Sequence, residues 1–200
     1  MPRTVASTSP DVRLPPDQVF DTLCRVGKVF RLNPHWTVRH CSVSPDAHIT
    51  AGSVTSIEFE DYATSEIWSL RGTCHVCEPP RQLELVFEGS HKLSTAFLVS
   101  ESQAGSRFTV EETYSDDEDP DKFGWYKEQL DFWVRSLAAY LKLRGAKGWR
   151  ARLNLWFMDR FWISASPSGR RISIVLFKIT IVEVVLILAI LVMWALFFQR

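Results

Sequence analysis

The CHVC motif of residues 74–77 has a cysteine spacing that is associated with metal binding and with redox chemistry. Two thiolates three residues apart can share a zinc ion or form a reversible disulfide. In a β-strand, however, side chains three residues apart point to opposite faces, so joint ligation requires a bend in the chain. The other two cysteines, Cys24 and Cys41, stand isolated in the sequence and offer no second pair. We therefore expect neither a metal site nor a cofactor.

The histidines and acidic residues form no recognisable catalytic set. The five histidines show neither a ligand spacing nor an acid placed for a triad, and we expect them at the surface or in turns. Glu112 shares the predicted inward face of a strand with Phe108 and Val110. Its carboxylate either anchors the head group of a ligand, acts as an acid or base, or marks the point at which the strand leaves the core. Since no acid–base pair is evident, we assign no catalytic residue, and an enzymatic function is the weaker hypothesis.

Composition and charge narrow the class of protein. The chain has 200 residues, of which 46% are hydrophobic, and it carries 23 basic and 23 acidic side chains. This composition excludes a disordered chain, and the zero net charge argues against a nucleic-acid binder. The charge is unevenly divided, with an acidic excess in residues 1–145 (the head) and a basic excess in residues 146–200. Such asymmetry indicates an acidic globular head and a basic tail that meets a membrane.

Residues 179–198 read ITIVEVVLILAILVMWALFF and predict a transmembrane helix. Twenty helical residues rise about 30 Å, which is the thickness of the hydrocarbon core of a bilayer. Glu183 is the one charge in this stretch, and it is either a boundary residue or a polar contact with a partner helix or a lipid-soluble head group. Because the basic residues precede the span, the positive-inside rule places the N-terminal domain in the cytoplasm. We expect a single-pass, tail-anchored membrane protein with residues 172–200 as the anchor.

Residues 146–171 form a basic, aromatic segment between the head and the predicted anchor. Arginines at positions 150, 152 and 160 alternate with aromatic side chains, a composition that suits the lipid headgroup layer. The apolar residues form no single clean helical face, so the segment is either an interfacial helix with snorkelling arginines or a helix packed on a protein partner. We favour the interface. The residues expected to contact the membrane are Trp149, Trp156, Trp162, Glu183 and Trp194.

Alternating apolar and polar residues predict a sheet in the head. About six runs between residues 36 and 114 alternate with period two, which is typical of an antiparallel sheet with one dry face. A long helix follows, with Asp119 as the N-cap, Pro120 at the first position and Gly145 at the end. It carries an apolar stripe at spacings of three and four: Phe123, Tyr126, Leu130, Trp133, Leu137, Tyr140 and Leu141. The predicted order is one strand, two short helices, about six strands and the long helix.

The front of the chain carries the motifs of a known family. Residues 15–23 have the form PPxxVFxxL, and Asn33, Pro34 and Trp36 form an Asn-Pro-x-Trp turn ahead of the sheet. Together with the element order, these motifs resemble the START/Bet v 1-like superfamily, also called the SRPBCC or polyketide cyclase/dehydrase group, over residues 5–143. The resemblance implies an α+β helix-grip fold for residues 1–145, in which a curved antiparallel sheet surrounds the long C-terminal helix and leaves an apolar cavity between them. Members carry lipids, sterols, quinones or polyketides, and some are enzymes, but they share no universal catalytic set.

The aromatic excess has two interpretations. In a helix-grip fold the large flat side chains would line the cavity, whereas the same side chains could also fill a solid core. The residues expected to bind the ligand are Trp36, Trp68, Leu70, Leu85, Phe87, Phe97, Phe108, Glu112, Tyr126 and Trp133.

The sequence thus predicts a membrane protein whose cytoplasmic domain binds a hydrophobic ligand, lipid or quinone-like, without catalysis and close to the bilayer. Two alternatives remain open. The protein is an accessory or recruiting subunit of a larger membrane-bound complex of redox or photosynthetic type, or it is a cyclase/hydratase-type enzyme. The expected partners are a hydrophobic small molecule, membrane lipid and, under the subunit hypothesis, other subunits of such a complex, but no nucleic acid.

Overall fold

One antiparallel sheet forms the framework of the head. The computed structural model describes residues 3–8, 11–61, 64–115 and 122–198. Its strands are β1 (Arg3–Thr8), β2 (Trp36–Cys41), β3 (Val54–Asp61), β4 (Ile67–Glu78), β5 (Gln82–Glu88), β6 (Lys92–Ser102) and β7 (Gly105–Tyr114). They pair in the order β1-β7-β6-β5-β4-β3-β2, so β2 to β7 follow one another as hairpins and β1 lies beside β7.

The sheet and four α-helices belong to a first compact unit, Met1–Ser164. The helices are α1 (Pro16–Leu23), α2 (Val26–Arg31), α3 (Lys122–Gly145) and α4 (Trp149–Phe157), and α4 contacts α3 and continues into a π-helical turn, Met158–Trp162. Pro16 stands in the first turn of α1, where a backbone N–H would have no partner within the helix. The predicted cap of α3, Asp119 with Pro120, lies outside the described residues.

Trp133 of α3 lies at the centre of the core and has no exposed surface. Its indole Nε1 donates a hydrogen bond to the carbonyl oxygen of Val29 at 3.0 Å. Its ring centroid lies 5.3 Å from that of Phe30 on α2 and 5.9 Å from that of Phe97 on β6. These contacts hold α3 between α2 and the sheet. The curled antiparallel sheet around a long helix confirms the predicted α+β helix-grip fold.

Burial along the strands follows the predicted alternation. In β5 the side chains of Leu83, Leu85 and Phe87 are buried, whereas the intervening Val86 is exposed. In β7 the buried positions are again every second residue, and Phe108 and Val110 have no exposed surface. A single dry face of this kind is what an antiparallel sheet needs in order to pack on one layer of helices.

The second compact unit, Ala165–Arg200, contains helix α5 (Pro167–Phe198). Within the described part of the chain, one stretch is long and apolar enough to cross a membrane, namely Ile172–Trp194, with a mean hydropathy of 2.8. Its 23 residues rise about 35 Å as a helix, and none of its most apolar window is buried. The C-terminal helix therefore has the length and composition of the predicted span.

Candidate ligand-binding site

A cavity of about 530 Å³ lies between the sheet and the N-terminal half of α3. This volume is within the range of small-molecule sites in proteins. Trp68 and Trp125 are the two lining tryptophans that stay well exposed, each at 43% of the residue surface. The lining residues come from five strands, the β5–β6 turn and α3: Trp36, Phe59, Trp68, Ser69, Leu70, Gly89, Ser90, His91, Lys92, Tyr114, Lys122, Trp125, Tyr126 and Gln129.

Aromatic rings form most of the apolar wall. Trp36 packs on Phe59, with the ring centroids 5.0 Å apart. On the opposite side, Tyr126 stacks on Tyr114 at 4.3 Å with nearly parallel planes, and Trp125 lies 5.2 Å from Tyr126. Rings that already pack on one another lose little freedom when a ligand binds, so such a wall is well suited to a flat or chain-like apolar molecule.

A buried ion pair forms the polar part of the wall. The Nζ atom of Lys92 is paired with Oε1 of Glu112, and the two side chains are only 8% and 4% exposed. The hydroxyl of Tyr114 donates a hydrogen bond to the other carboxylate oxygen, Oε2, at 2.7 Å. The Nζ atom also lies 5.6 Å from the centroids of three rings, those of Trp36, Phe87 and Trp133. The wall of the cavity therefore contains the ammonium group of Lys92, which is fixed by Glu112 and surrounded by aromatic rings.

A β-bulge explains why Lys92 points inward. The buried positions of β6 beyond it are the odd-numbered Thr95, Phe97 and Val99. A regular strand would place Lys92 on the opposite face, with Ser94. The pairing of β6 with β7 shifts between these two residues, because Lys92 pairs with Tyr114 and Ser94 pairs with Thr113. The extra residue turns the lysine toward the cavity.

The structure separates the ten predicted ligand-binding residues into two groups and one further residue, Glu112. Four of them line the cavity, namely Trp36, Trp68, Leu70 and Tyr126. Five others lie in the closed core, each at most 5% exposed: Leu85, Phe87, Phe97, Phe108 and Trp133. Glu112 lies behind Lys92, with which it is paired, and not at a point where the strand leaves the core. Direct ligand contact by any of the ten stays a prediction.

Some lining residues were not anticipated from the sequence. Trp125 belongs to the aromatic excess that was expected to line a cavity or fill a core, and it lines the cavity, whereas Gln129 is polar and does not fit a search for buried apolar positions. His91 lies at the turn before β6, as expected for a turn residue, but it also lines the cavity. His40 and His75 are exposed on their strands. Lys92 was not predicted to line the cavity because a lysine is normally expected at the surface.

The cysteines cluster more closely than the sequence indicates. The pairing of β4 with β5 shifts between Cys74 and Val76, so that Cys74 and Cys77 lie opposite Leu85 and Leu83, which share one face. Burial, together with the neighbouring thiols of Cys77 and Cys74, raises the pKa of Cys24 to about 12. Cys24, although isolated in the sequence, therefore lies near the CHVC motif in the fold, and the bulge supplies the bend that the motif requires.

Cys74 is affected in the same way, since burial and the neighbouring thiol of Cys77 raise its pKa to about 11. All the cysteines are free thiols in the structure. Among the described residues, no group of three or more histidine, cysteine or acidic side chains is arranged to hold a metal ion. Neutral buried thiols of this kind behave as small apolar groups, so the cluster contributes to packing.

The basic, aromatic segment is fastened to the head through Asp159 in its π-helical turn. The carboxylate accepts hydrogen bonds from the hydroxyl of Tyr140 at 2.8 Å and from Nζ of Lys28 at 3.2 Å. Burial and the hydrogen bond to Asp159 raise the pKa of Tyr140 above its usual range. The Nζ atom of Lys28 also lies 3.0 Å from Oδ1 of Asp46. The hydrogen bond from Lys28, together with the positive charge of its ammonium group, lowers the pKa of Asp46. Ile163, just after the turn, is buried.

The same segment exposes aromatic side chains among its arginines. Its exposed aromatic side chains are Trp149, Trp156, Phe157 and Phe161, whereas Trp162 is half-buried. In the second unit, Glu183 and Trp194 are exposed on α5. Exposed aromatic residues beside arginines are unusual for a surface that faces only water. Four of the five predicted membrane residues are thus exposed, and contact with a membrane stays a prediction.

No family model matches this sequence, and no curated protein matches it. Solved structures do match. Protein CV1439 from Chromobacterium violaceum is 17% identical with a TM-score of 0.52, over 70% of this chain and 97% of that chain. The AHSA1-like protein from Aeromonas hydrophila is 12% identical with a TM-score of 0.51, over 70% of this chain and 95% of that chain.

A third structure, protein NE0264 from Nitrosomonas europaea, is 13% identical with a TM-score of 0.53, over 72% of this chain and 97% of that chain. Structural similarity at this low sequence identity is evidence for the fold alone. The described head thus shares the helix-grip fold of SRPBCC/AHSA1-like structures, as the motifs at the front of the chain had indicated.

Proposed function

We propose that the head binds a hydrophobic small molecule, lipid or quinone-like, in the cavity beside α3 and that it does so without catalysis. The observation that carries this proposal is the cavity itself, because about 530 Å³ of space is held open among aromatic rings that could otherwise have collapsed together. Removing about 200 Å² of apolar ligand surface from water contributes about 5 kcal/mol at about 25 cal/mol per Å². Such a gain is sufficient for specific binding when the site is already formed.

We also propose that Ile172–Trp194 spans a bilayer and that the head lies on the cytoplasmic side. The length and hydropathy of this helix support the first part, and the basic residues that precede it support the second. The exposed aromatic residues Trp149, Trp156 and Phe161 would then lie in the headgroup layer of the same membrane. A membrane tether keeps the head close to apolar ligands that dissolve in the bilayer.

The full-length protein in lipid nanodiscs provides the test, with N-phenyl-1-naphthylamine as a neutral fluorescent probe and empty nanodiscs as the blank. Substituting Gln129→Trp should fill the cavity from α3, since Gln129 is buried and lines it. We expect a loss of at least tenfold in probe affinity. Ala139→Trp on the exposed side of α3 is the matched control and should bind as the wild type does.

Unchanged binding by a folded Gln129→Trp protein would show that the probe binds elsewhere and would reject the cavity as the site.

Gentle detergent extraction followed by sizing addresses the subunit hypothesis. Migration of the chain with a larger assembly, together with no probe binding, would favour that hypothesis over ligand binding.

A further inference from the structure

We propose that Lys92 is the polar recognition group of the cavity and that it selects an uncharged ring compound with a carbonyl oxygen over both hydrocarbons and anions. This inference rests on the proposed ligand-binding function and specifies the chemistry of the ligand. It begins from the lysine's position, on the cavity wall with a side chain only 8% exposed.

The ammonium group of Lys92 has hydrogen-bonding capacity left for a ligand. An ammonium has three N–H donors. Among the described residues, the carboxylate of Glu112 is the one hydrogen-bond acceptor that Nζ reaches. The other close neighbours of Nζ are the faces of aromatic rings, including that of Trp36, which itself lines the cavity. A ligand oxygen in the cavity would therefore meet a donor that the protein leaves unused.

The ion pair also decides which ligand charge is tolerated. Glu112 already balances the charge of Lys92, so a buried carboxylate or phosphate on the ligand would introduce a second, unbalanced negative charge. His91 and Lys122 also line the cavity, but they are exposed and engaged in other contacts, so they offset such a charge only weakly. An uncharged acceptor accepts the hydrogen bond without this cost.

A plain hydrocarbon is disfavoured for the opposite reason. A bound hydrocarbon would cover the ammonium group and exclude water from the N–H donors that Glu112 does not use. Those donors would then have no hydrogen-bond acceptor. Sites built to hydrogen-bond a ligand group discriminate strongly against analogues that lack the group. The ring wall accepts both types of molecule, so the difference between them arises at Lys92.

The geometry is fixed before any ligand arrives. The β-bulge sets the direction of Lys92, and Tyr114 holds the carboxylate of Glu112 in place with its 2.7 Å hydrogen bond. Buried ion pairs add little net stability compared with apolar packing, so the fold gains little from this pair alone. A held donor that faces a cavity is, by contrast, a useful recognition element.

The test compares three naphthalenes of similar size by isothermal titration calorimetry on the full-length protein in nanodiscs, with empty nanodiscs as the blank. They are 2-acetylnaphthalene, which has a carbonyl, 2-isopropylnaphthalene, which has none, and 2-naphthoate, which is an anion at neutral pH. We expect 2-acetylnaphthalene to bind at least tenfold more tightly than either of the others. Preference for 2-isopropylnaphthalene or for 2-naphthoate, or equal binding of all three, would overturn the inference and leave the proposed cavity function intact.

A variant assigns the preference to the lysine. The double substitution Lys92→Met with Glu112→Gln removes both charges together and keeps an acceptor for the Tyr114 hydroxyl, so no buried charge is left unpaired. We expect the ratio between the acetyl and isopropyl compounds to fall to about twofold in this variant. The control Lys127→Met, which changes an exposed lysine on α3, should keep the wild-type ratio. A retained tenfold ratio in the folded double variant overturns the role of Lys92. If none of the three compounds binds the wild type, the proposed function fails and the inference fails with it.

Discussion

The hydroxyl of Tyr140 donates a hydrogen bond of 2.8 Å to Oδ1 of Asp159, and this bond joins α3 to the π-helical turn after α4. Lys28 from α2 donates to the same oxygen. Three separate elements thus meet at one carboxylate, which holds the basic, aromatic segment on the head. The exposed aromatic side of α4 is therefore presented in a fixed orientation within the first unit.

Removal of this hydrogen bond should loosen the segment. We expect Tyr140→Phe to lower the free energy of unfolding by about 1 kcal/mol, because one partly buried hydrogen bond is lost while the ring is kept. Limited trypsin digestion should cut faster at Arg150 and Arg152 in α4. Ser136→Ala on the same helix is the control, since its hydroxyl bonds only within α3, and it should leave the cleavage rate unchanged.

The buried thiols predict a loss of stability in alkaline solution. The pKa of Cys24 is raised to about 12, so between about pH 9 and 12 the unfolded chain loses the thiol proton while the folded chain keeps it. Folding then becomes less favourable as the pH rises, and we expect this thiol to cost about 1–2 kcal/mol by pH 10.5. Thermal melts followed by circular dichroism should show a shallower alkaline decline for Cys24→Ala than for wild type.

Below about pH 8 the melting curves of wild type and Cys24→Ala should instead differ by a constant amount, which reports the lost packing alone. If the two proteins lose stability in parallel up to pH 10.5, the buried thiol has no part in the alkaline transition.

The centre of the core should be sensitive to the loss of one indole ring. Trp133→Phe removes the hydrogen bond to the carbonyl of Val29 and leaves a small void beside Phe30. We expect a loss of about 2 kcal/mol in the free energy of unfolding. Phe132→Leu, on the neighbouring exposed position, should change it by less than about 0.5 kcal/mol. Equal effects of the two substitutions in thermal melts would contradict the placement of Trp133.

Charges placed in α5 should release the protein from membranes. Arginine costs about 2.5–3.5 kcal/mol at the centre of a transmembrane helix, so Leu186→Arg with Ile190→Arg should oppose insertion by about 5–7 kcal/mol. After alkaline carbonate extraction we expect wild type in the membrane pellet and the double arginine variant in the supernatant. The control, with alanine at both positions, should stay in the pellet. Wild type in the supernatant would mean that Ile172–Trp194 does not span.

Local patterns in the sequence predict much of the fold. The alternation of Leu83, Leu85 and Phe87 predicts which face of β5 is buried, and the structure agrees because burial at every second residue follows from strand geometry alone. The spacing of Leu130 and Trp133 predicts the inner side of α3 for the corresponding reason. In both cases the information lies within one element.

The site depends on features that lie between elements. Lys92 faces the cavity only because β6 bulges against β7, and Cys74 and Cys77 share a face only because β4 bulges against β5. A bulge is a property of a strand pair, and alternation within a single strand does not reveal it. Sequence patterns therefore identified aromatic residues such as Trp36 and Tyr126 but missed the ammonium group among them.

The two exposed tryptophans, Trp68 and Trp125, remain nearly half in contact with water. Both residues line the cavity, so a molecule bound there would change the surroundings of their rings, and indole emission responds to such a change in polarity. Occupancy of the cavity would consequently be visible as a shift in the intrinsic luminescence of the chain. Binding of candidate compounds to the head could therefore be screened by intrinsic tryptophan fluorescence, without an attached dye.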